Sequence, residues 1–401
     1  MNPEARKIWR APSSAFSFLL ACLGMLGPFS IDTYLPAFTG IAASIGATPA
    51  QMQQTLSAYL FGFAIANLLH GALSDSVGRR PVVLWGLFVF TLASIGCALA
   101  QGIGALVFWR AVQGMSAGAG IVVSRAVIRD LFAPVDAQRV MSQVTIFFGL
   151  APAIAPMVGG FLFVHADWHS IFWFLAAFGA LLWAANLSLL PETLDAAQRQ
   201  PLRVRNLLRG YLQLGSSARF MTLVLASGIP FNGLFLYVLS TPVFLGEHLR
   251  LQPGQFYWFF CLSIVGIMSG AWLSGRVAGR IGPRRQIRWG FAVMLAVSLA
   301  NVALNLLLEP AAWWAMLPIA IFSFGWALMV PVVTLLMLDQ VPDRRGMASS
   351  MQAFIGSIAN GVVAGVISPL VMHSTVALAV TSLLMMCVGL LAWVWVKPSV
   401  T

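Results

Sequence analysis

The chain has 401 residues, of which 59% are hydrophobic and only 9% are charged. Soluble domains carry about 25% charged residues, so this composition cannot cover a water-exposed surface, and a soluble enzyme and a disordered chain are both excluded. The net charge of +11 would suggest nucleic acid in a soluble protein, but here its distribution decides. The four cysteines, Cys22, Cys97, Cys261 and Cys387, stand far apart in apolar runs. No C-x-x-C occurs, so buried free thiols are expected rather than a disulfide framework or a zinc site.

A bilayer core needs about 20 apolar residues per helix. Twelve such runs follow one another at 15–37, 52–74, 82–101, 105–127, 140–164, 169–190, 219–245, 255–275, 287–308, 312–337, 347–371 and 374–396. We number them spans 1 to 12. The expected fold class is an all-α membrane protein with twelve transmembrane helices. The apolar run after Arg10 is too long for a cleaved signal peptide, and no small-residue cleavage site ends it before Asp32.

Loop charge sets orientation. With the N-terminus inside, the inner segments hold Arg6, Lys7 and Arg10; Arg79 and Arg80; Arg125, Arg129 and Arg139; Arg199, Arg203, Arg205, Arg209 and Arg219; Arg276, Arg280, Arg284, Arg285 and Arg288; Arg344 and Arg345; and Lys397. Of the 23 Lys+Arg, only Arg250 falls in an outer loop, and Arg110 lies within a span. The basic excess is therefore a topology signal, and no folded basic domain exists to bind nucleic acid. Both termini are expected in the cytoplasm. The longest loop, Glu192 to Ala218, falls near mid-chain. It reads as a flexible linker, with a short amphipathic stretch on the inner surface (Leu202, Leu207, Leu208, Tyr211) as the alternative. It separates a six-helix half, 1–191, from a second, 219–401, with 192–218 as the linker.

A repeat supports this halving. Gly71-Ala-Leu-Ser-Asp75-Ser-Val-Gly78-Arg79-Arg80 joins spans 2 and 3, and Gly275-Arg-Val-Ala-Gly279-Arg-Ile-Gly282-Pro283-Arg284-Arg285 joins spans 8 and 9. Parallel six-span halves are one form of repeat in secondary transporters.

Two charged residues are expected well inside the spans, Asp32 and Arg110. A charge at the bilayer centre costs about 2.5–3.5 kcal/mol on insertion scales, so such groups face a cavity or each other. A carboxylate in a partly dry site can bind and release a proton near neutral pH, which a proton-coupled carrier requires. Arg110, Gln113 and Gly114 share a helix face. Arg110 either responds to the protonation of Asp32 or bonds carbonyls of a neighbouring helix. Span 5 carries Gly149, Pro152, Pro156, Gly159 and Gly160, which weaken a helix ladder and suit both bending and close packing. Asp75 and Arg79 are either ordinary inner-surface charge or a gate that pairs with the Arg129-Asp130 end of span 4.

Two patterns are set aside. Gly114-Met-Ser116-Ala-Gly118 matches a hydrolase elbow, but that motif needs a strand-to-helix turn with a His and an acid nearby. It falls mid-helix, with no His expected at its depth. His165 and His169 have metal-ligand spacing in an outer loop without a further ligand.

These residues resemble the major facilitator superfamily. Gly71…Asp75…Gly78-Arg79-Arg80 resembles its motif A, Arg110…Gln113-Gly114 its motif B, and Gly149…Pro152…Pro156…Gly159-Gly160 the antiporter motif C. Gly27-Pro28…Asp32…Tyr34-Leu35-Pro36, Arg129-Asp130-Leu131, Trp168…Ile171-Phe172 and Leu190-Pro191-Glu192-Thr193-Leu194 further resemble the Bcr/CflA group of drug:proton antiporters. The chain departs from the pattern at Ser76, Ala66-Asn67, Ala72 and Gly279. The resemblance implies two six-helix bundles with pseudo-two-fold symmetry and alternating access in the bacterial inner membrane. It implies proton-driven export of hydrophobic drugs, such as chloramphenicol or bicyclomycin, with Asp32 as the proton carrier and no cofactor. A monomer is expected.

Ligand sites in such folds lie near midplane between the repeats. Candidate lining residues are Tyr34, Tyr59, Asn67 and Gln113 in the first half and Phe231, Asn232, Tyr237, Tyr257, Trp258, Trp326 and Gln352 in the second. Arg80 and Asp130 complete the candidate gate. The competing readings are a carrier of a small neutral metabolite, an intramembrane enzyme, for which the spans lack a nucleophile–base–acid cluster, and a sensor.

Overall fold

The computed structural model describes residues 13–201, 203–252 and 255–395. Arg6, Lys7, Arg10, Leu202 and Lys397 of the charge and linker readings lie outside these residues. Within lipid every backbone polar group must be satisfied internally, which a helix does by itself. Among the described residues twelve helices are long and apolar enough to cross a membrane. They are Ala15–Ala37, Gln51–Val77, Arg79–Ala98, Ile103–Leu131, Pro134–His165, Trp168–Leu189, Ala218–Leu239, Tyr257–Arg276, Pro283–Leu307, Ala312–Leu338, Pro342–Val371 and Thr375–Trp395. All twelve expected runs are therefore helical. Phe61, Met157, Leu307 and Trp313 are 70–82% exposed, a surface that only lipid tolerates.

Local signals place the helix ends. Thr48 and Gln51 form a capping box at the start of the second span's helix. The Asp167 carboxylate accepts from Ser170 N at 3.0 Å to start span 6. Span 1 is not one rod: its helix ends at Asp32, a tight turn covers Leu35–Ala37, and a short helix, Phe38–Ile45, follows. Pro36, which has no amide proton, falls just after this break. Span 7 stops at Leu239 rather than near 245 and continues as a π-helical turn, Pro242–His248.

Three further expectations are corrected. Span 4 runs on to Leu131, so Arg125 sits within a span and not in an inner loop. The mid-chain segment is not a flexible linker throughout, because Val204–Ser216 forms a helix, which agrees with the alternative of a short amphipathic stretch. Of the cysteines, Cys22 and Cys97 are buried, but Cys261 is exposed and Cys387 partly so.

Contacts resolve the chain into two compact units. Unit 1 comprises Met1–Ala133, Leu150–Tyr211 and Val341–Phe354; unit 2 comprises Pro134–Gly149, Leu212–Gln340 and Ile355–Thr401. These differ from plain sequence halves at two helices. The first turns of span 5 group with unit 2, and the first turns of span 11 with unit 1. Internally the units follow one plan. Span 4 packs on spans 1, 2 and 3, and span 3 on span 6; six spans later, span 10 packs on 7, 8 and 9, and span 9 on 12. Small residues allow the closest approaches. Gly114 lies against the Tyr59 carbonyl in the first unit, and Gly270 against the Phe324 carbonyl in the second.

Candidate transport site and its latch

Inside unit 1, span 4 carries Arg110 into full burial. Its guanidinium carbon lies 4.6 Å from the centre of the Tyr34 ring and 4.4 Å from that of Tyr59. Such desolvated cation–π contacts are worth about 2 kcal/mol. Arg110 Nη1 donates to Gln113 Oε1 at 2.6 Å and to the Ser30 carbonyl at 3.3 Å. Gln113 in turn donates to Ser94 Oγ at 2.8 Å. The two tyrosines are tied down as well. Tyr34 Oη meets Thr55 Oγ1 at 2.7 Å, and Tyr59 Oη meets Ser30 Oγ at 2.7 Å. Arg110 Nε and Nη2 have no hydrogen-bond partner, so this buried cation bonds no carboxylate among the described residues.

Asp32 is the last residue of the first helix and stands two residues beyond the Ser30 carbonyl that Arg110 holds. It is half-buried. Its carboxylate meets the negative end of its own helix, where an anion is disfavoured. Asn67 is fully buried with neither side-chain polar atom partnered. It presses on Gly118 of span 4, and His70 Nδ1 lies 3.5 Å from where a Gly118 side chain would begin. A histidine thus does reach this depth, contrary to the sequence reading. Ser116 nonetheless lies mid-helix, is buried, and donates to the Gln113 carbonyl at 2.9 Å, so its hydroxyl is not presented on a turn as a hydrolase elbow requires.

Gln352 was grouped with the second half. The structure places it in unit 1, where its Oε1 accepts from Arg125 Nη1 at 2.9 Å. In unit 2, Phe231 and Trp326 pack at a tilt of 44° with ring centres 4.9 Å apart, and Trp326 Nε1 donates to the Ser227 carbonyl at 3.0 Å. Asn232 is buried, with Nδ2 donating to the Gly228 carbonyl at 3.2 Å. Tyr237 is a core residue. Its hydroxyl accepts from Asn301 Nδ2 at 2.9 Å, and its ring packs on Phe244. Tyr257 and Trp258 are each 52% exposed and lie against each other at the first turn of span 8, apart from the Phe231–Trp326 pair. Of the span 5 residues, Gly149 packs on Ile267 within unit 2, and Gly159 on the Thr33 carbonyl within unit 1. The boundary between the units falls at Gly149.

A dense polar network lies at the end of span 2. Asp75 and Arg79 are 2% and 1% exposed. Arg79 Nη1 donates to Asp75 Oδ1 at 2.6 Å and to Ser74 Oγ at 2.7 Å, and its Nε donates to Asp130 Oδ2 at 3.1 Å. The gate residues read from sequence are therefore brought together. The structure adds what they hold. Asp75 Oδ1 accepts from Gly346 N at 3.0 Å and Oδ2 from Met347 N at 2.8 Å. One carboxylate thus caps the free amides at the start of the span 11 helix, Arg345–Val362. Arg345 Nη1 closes the network on Asp130 Oδ1 at 2.9 Å. Gly71 N donates to Ser350 Oγ at 2.8 Å, and Gly71 and Gly346 lie backbone to backbone.

A second carboxylate repeats this chemistry. Glu192 accepts from Arg79 N at 2.9 Å and Arg80 N at 3.3 Å, capping span 3. It also accepts from Thr193 N and Leu194 N, each at 3.0 Å. Gly78, at φ 111°, occupies a conformation that side chains rarely adopt, and the Glu192 carboxylate fills the space where a Cβ would be. Arg80 reaches the Leu187 carbonyl at 2.6 Å. Sequence reading missed Glu192, Arg345, Gly346, Met347 and Ser350 as members of this network. The small residues Gly346 and Ser350, four apart behind Arg344-Arg345, were the available signal.

Two six-span units on one packing plan, with polar groups gathered inside them, define a membrane transporter rather than an enzyme. The Major Facilitator Superfamily model matches residues 20–364, and the chain belongs to that family. It is 31% identical over 348 residues, 86% of each chain, to the bicyclomycin resistance protein homolog of Haemophilus influenzae. It is 26% identical over 380 residues, 94% of each chain, to multidrug resistance protein D of Escherichia coli. These relatives agree with the Bcr/CflA resemblance. Among solved structures, the human organic anion transporter MFSD10 matches with a TM-score of 0.75 at 19% identity, covering 96% of this chain and 100% of the other. The proton:xylose symporter XylE matches at 0.73 and 16%, covering 97% and 96%. Both show the fold.

Proposed function

We propose that this protein exports small hydrophobic compounds of the drug type across the bacterial inner membrane in exchange for protons, by alternating access, with both termini in the cytoplasm. The names of its relatives support the substrate class, and the loop arginines support the orientation. The proton step rests on one observation: a half-buried carboxylate, Asp32, ends a broken helix two residues after the carbonyl held by a buried arginine that bonds no acid among the described residues. Asp32 closes its helix two residues after the Ser30 carbonyl that Arg110 holds, so a change in its charge would act on the same turn of chain. That placement suits a group that changes its protonation between states. Proton uptake from the outer side discharges drug. Release to the inner side readies the site for the next molecule. Each proton moving down 100 mV supplies about 2.3 kcal/mol.

In this reading the Asp75 network is an inner-face latch. It holds the first turn of span 11 on unit 1 and must release in each cycle. The test is proton flux in sealed proteoliposomes with a preset pH gradient and a panel of drugs. Drug-triggered flux that Asp32→Asn lacks is expected. An Asn variant that still pumps uphill at the normal rate would remove Asp32 from the mechanism. Flux with a neutral metabolite and none with any drug would replace the substrate class.

A further inference from the structure

The linker helix Val204–Ser216 shows two opposed faces. Leu207, Gly210, Tyr211 and Leu214 follow the i, i+3, i+4, i+7 spacing of one stripe and are buried or half-buried. Arg205, Leu208, Arg209 and Leu212 form the second stripe, two residues and therefore about 200° away. Leu208 and Leu212 are 60% and 72% exposed, and Arg205 and Arg209 are exposed beside them. Exposed Arg199 and Arg203 precede the helix, and no Asp or Glu occurs from Ala196 to Ala218. Of the amphipathic stretch offered as the alternative to a flexible linker, Leu208 lies on the exposed stripe, whereas Leu207 and Tyr211 lie on the inward one.

The inward stripe touches the latch. Tyr211 Oη donates to the Leu68 carbonyl of span 2. Burial pushes the Tyr211 hydroxyl well above its ordinary range, so it stays a donor at any working pH. Gly210 leaves room for the latch side chains: a Cβ there would stand 2.8 Å from Arg344 Nη1 and 2.7 Å from Met347 Sδ. Ahead of the helix, Gln200 N donates to the Asp75 carbonyl at 2.8 Å. Asn206 and Leu207 line a small crevice together with Asp75, Arg344 and Met347. The linker therefore grips both parts that the latch joins, the end of span 2 and the first turn of span 11.

We propose that the outward stripe binds anionic phospholipid headgroups of the adjacent leaflet, and that this binding tightens the latch through the inward stripe. Leucines spaced for a membrane surface, flanked by arginines without an acidic partner, fit an anionic lipid surface. The coupling half of the proposal rests on reading the Asp75 network as a latch. The full chain is placed in nanodiscs of phosphatidylcholine, or of phosphatidylcholine mixed with phosphatidylglycerol, and backbone amide exchange is followed. Phosphatidylglycerol is expected to slow exchange about fivefold at 204–216 and at 345–350. The double variant Arg205→Gln/Arg209→Gln loses both effects, whereas Tyr211→Phe keeps the first and weakens the second. Equal exchange in both bilayers overturns the proposal, as does a phosphatidylglycerol effect that survives the double variant. Protection that follows the number of copies per disc instead of the lipid seats a second copy there and also overturns it. Asp75→Asn separates the two readings. If it leaves exchange at 345–350 unchanged in both bilayers, the latch fails, and the headgroup response at 204–216 stands or falls without it.

Discussion

In unit 1 the turn between spans 2 and 3 is fastened by charge. Asp75, Arg79, Asp130 and Arg345 form one network, and Asp75 caps the helix of span 11. In unit 2 the repeated turn is fastened by neutral amides. Gln138 Nε2 of span 5 donates to the Ser274 carbonyl and to Gln286 Oε1, both at 2.8 Å. Gln286 Nε2 donates to Ser274 Oγ and the Leu328 carbonyl, also at 2.8 Å. Gly279 stands where the first turn has Asp75, at φ 76°, with Val135 methyls 3.0–3.1 Å from where its Cβ would be. Pro283 stands where the first turn has Arg79. Each unit thus holds the first turns of a helix that continues into the other unit's assignment, span 11 in one and span 5 in the other. Buried charge is costly to leave unpaired, whereas an amide network loses less when cut. The two fastenings should therefore differ in how steeply they fail.

The largest effect falls on Asp75→Asn. It leaves Arg79 with one carboxylate instead of two and withdraws the anionic cap from Gly346 and Met347. Breaking one partner of a buried pair costs about 3–5 kcal/mol. Exchange at 345–350 should rise by more than a hundredfold, and drug export should fall at least tenfold. In unit 2, Gln286→Ala removes the centre of the amide network at about 1–3 kcal/mol. Exchange at the start of span 5 should rise by tenfold or so, with 345–350 unaffected. Equal losses in the two variants would erase the distinction between a charged and a neutral fastening.

The spans were open to sequence reading because lipid admits few solutions: each run of about 20 apolar residues had to be a helix. The partners within one local stretch were also open. Asp75 and Arg79 lie one turn apart, and Asp130 ends a neighbouring span. What they hold was not. Nothing in the spacing around Gly346 says that a carboxylate some 270 residues earlier supplies its cap, since capping is a contact and not a period. Arg125 was misplaced for a related reason. A cation near Arg129 and Arg139 looks like loop charge until its bond to the neutral Gln352 is seen. The linker helix was legible only as an alternative to a flexible linker, because its arginines dilute the apolar stripe that runs through 207, 211 and 214. Among the lining candidates, aromatic identity alone could not separate Tyr237, bonded in a core, from Tyr34 and Tyr59, which face Arg110.

A smaller effect is expected from placing an acid at Gly279, the position that matches Asp75. In Gly279→Asp the new residue must adopt a left-handed backbone, at about 1–2 kcal/mol, and must displace the Val135 methyls. It gains no cation one turn on, because Pro283 stands there. The variant should lower the melting temperature modestly and add no protection at the start of span 5. A gain of protection there would mean that an anion alone makes the latch, without the Arg79 counterpart.

Arg345→Gln tests the outermost strut of the charged network and should have the smallest effect. Its guanidinium is 19% exposed and bonds one oxygen of Asp130. The other oxygen keeps Arg79 Nε and accepts from Thr193 Oγ1 at 3.4 Å. The Asp75 cap on Gly346 and Met347 does not pass through Arg345 at all. A partly solvated pair with a surviving alternative partner is worth about 1 kcal/mol or less. Exchange at 345–350 should rise by fivefold at most, and transport should change within twofold. A loss as large as that of Asp75→Asn would place the strength of the latch in the Asp130–Arg345 strut. The carboxylate cap would then only align the helix, and the contrast with the amide network around Gln286 would have to be restated in terms of the strut.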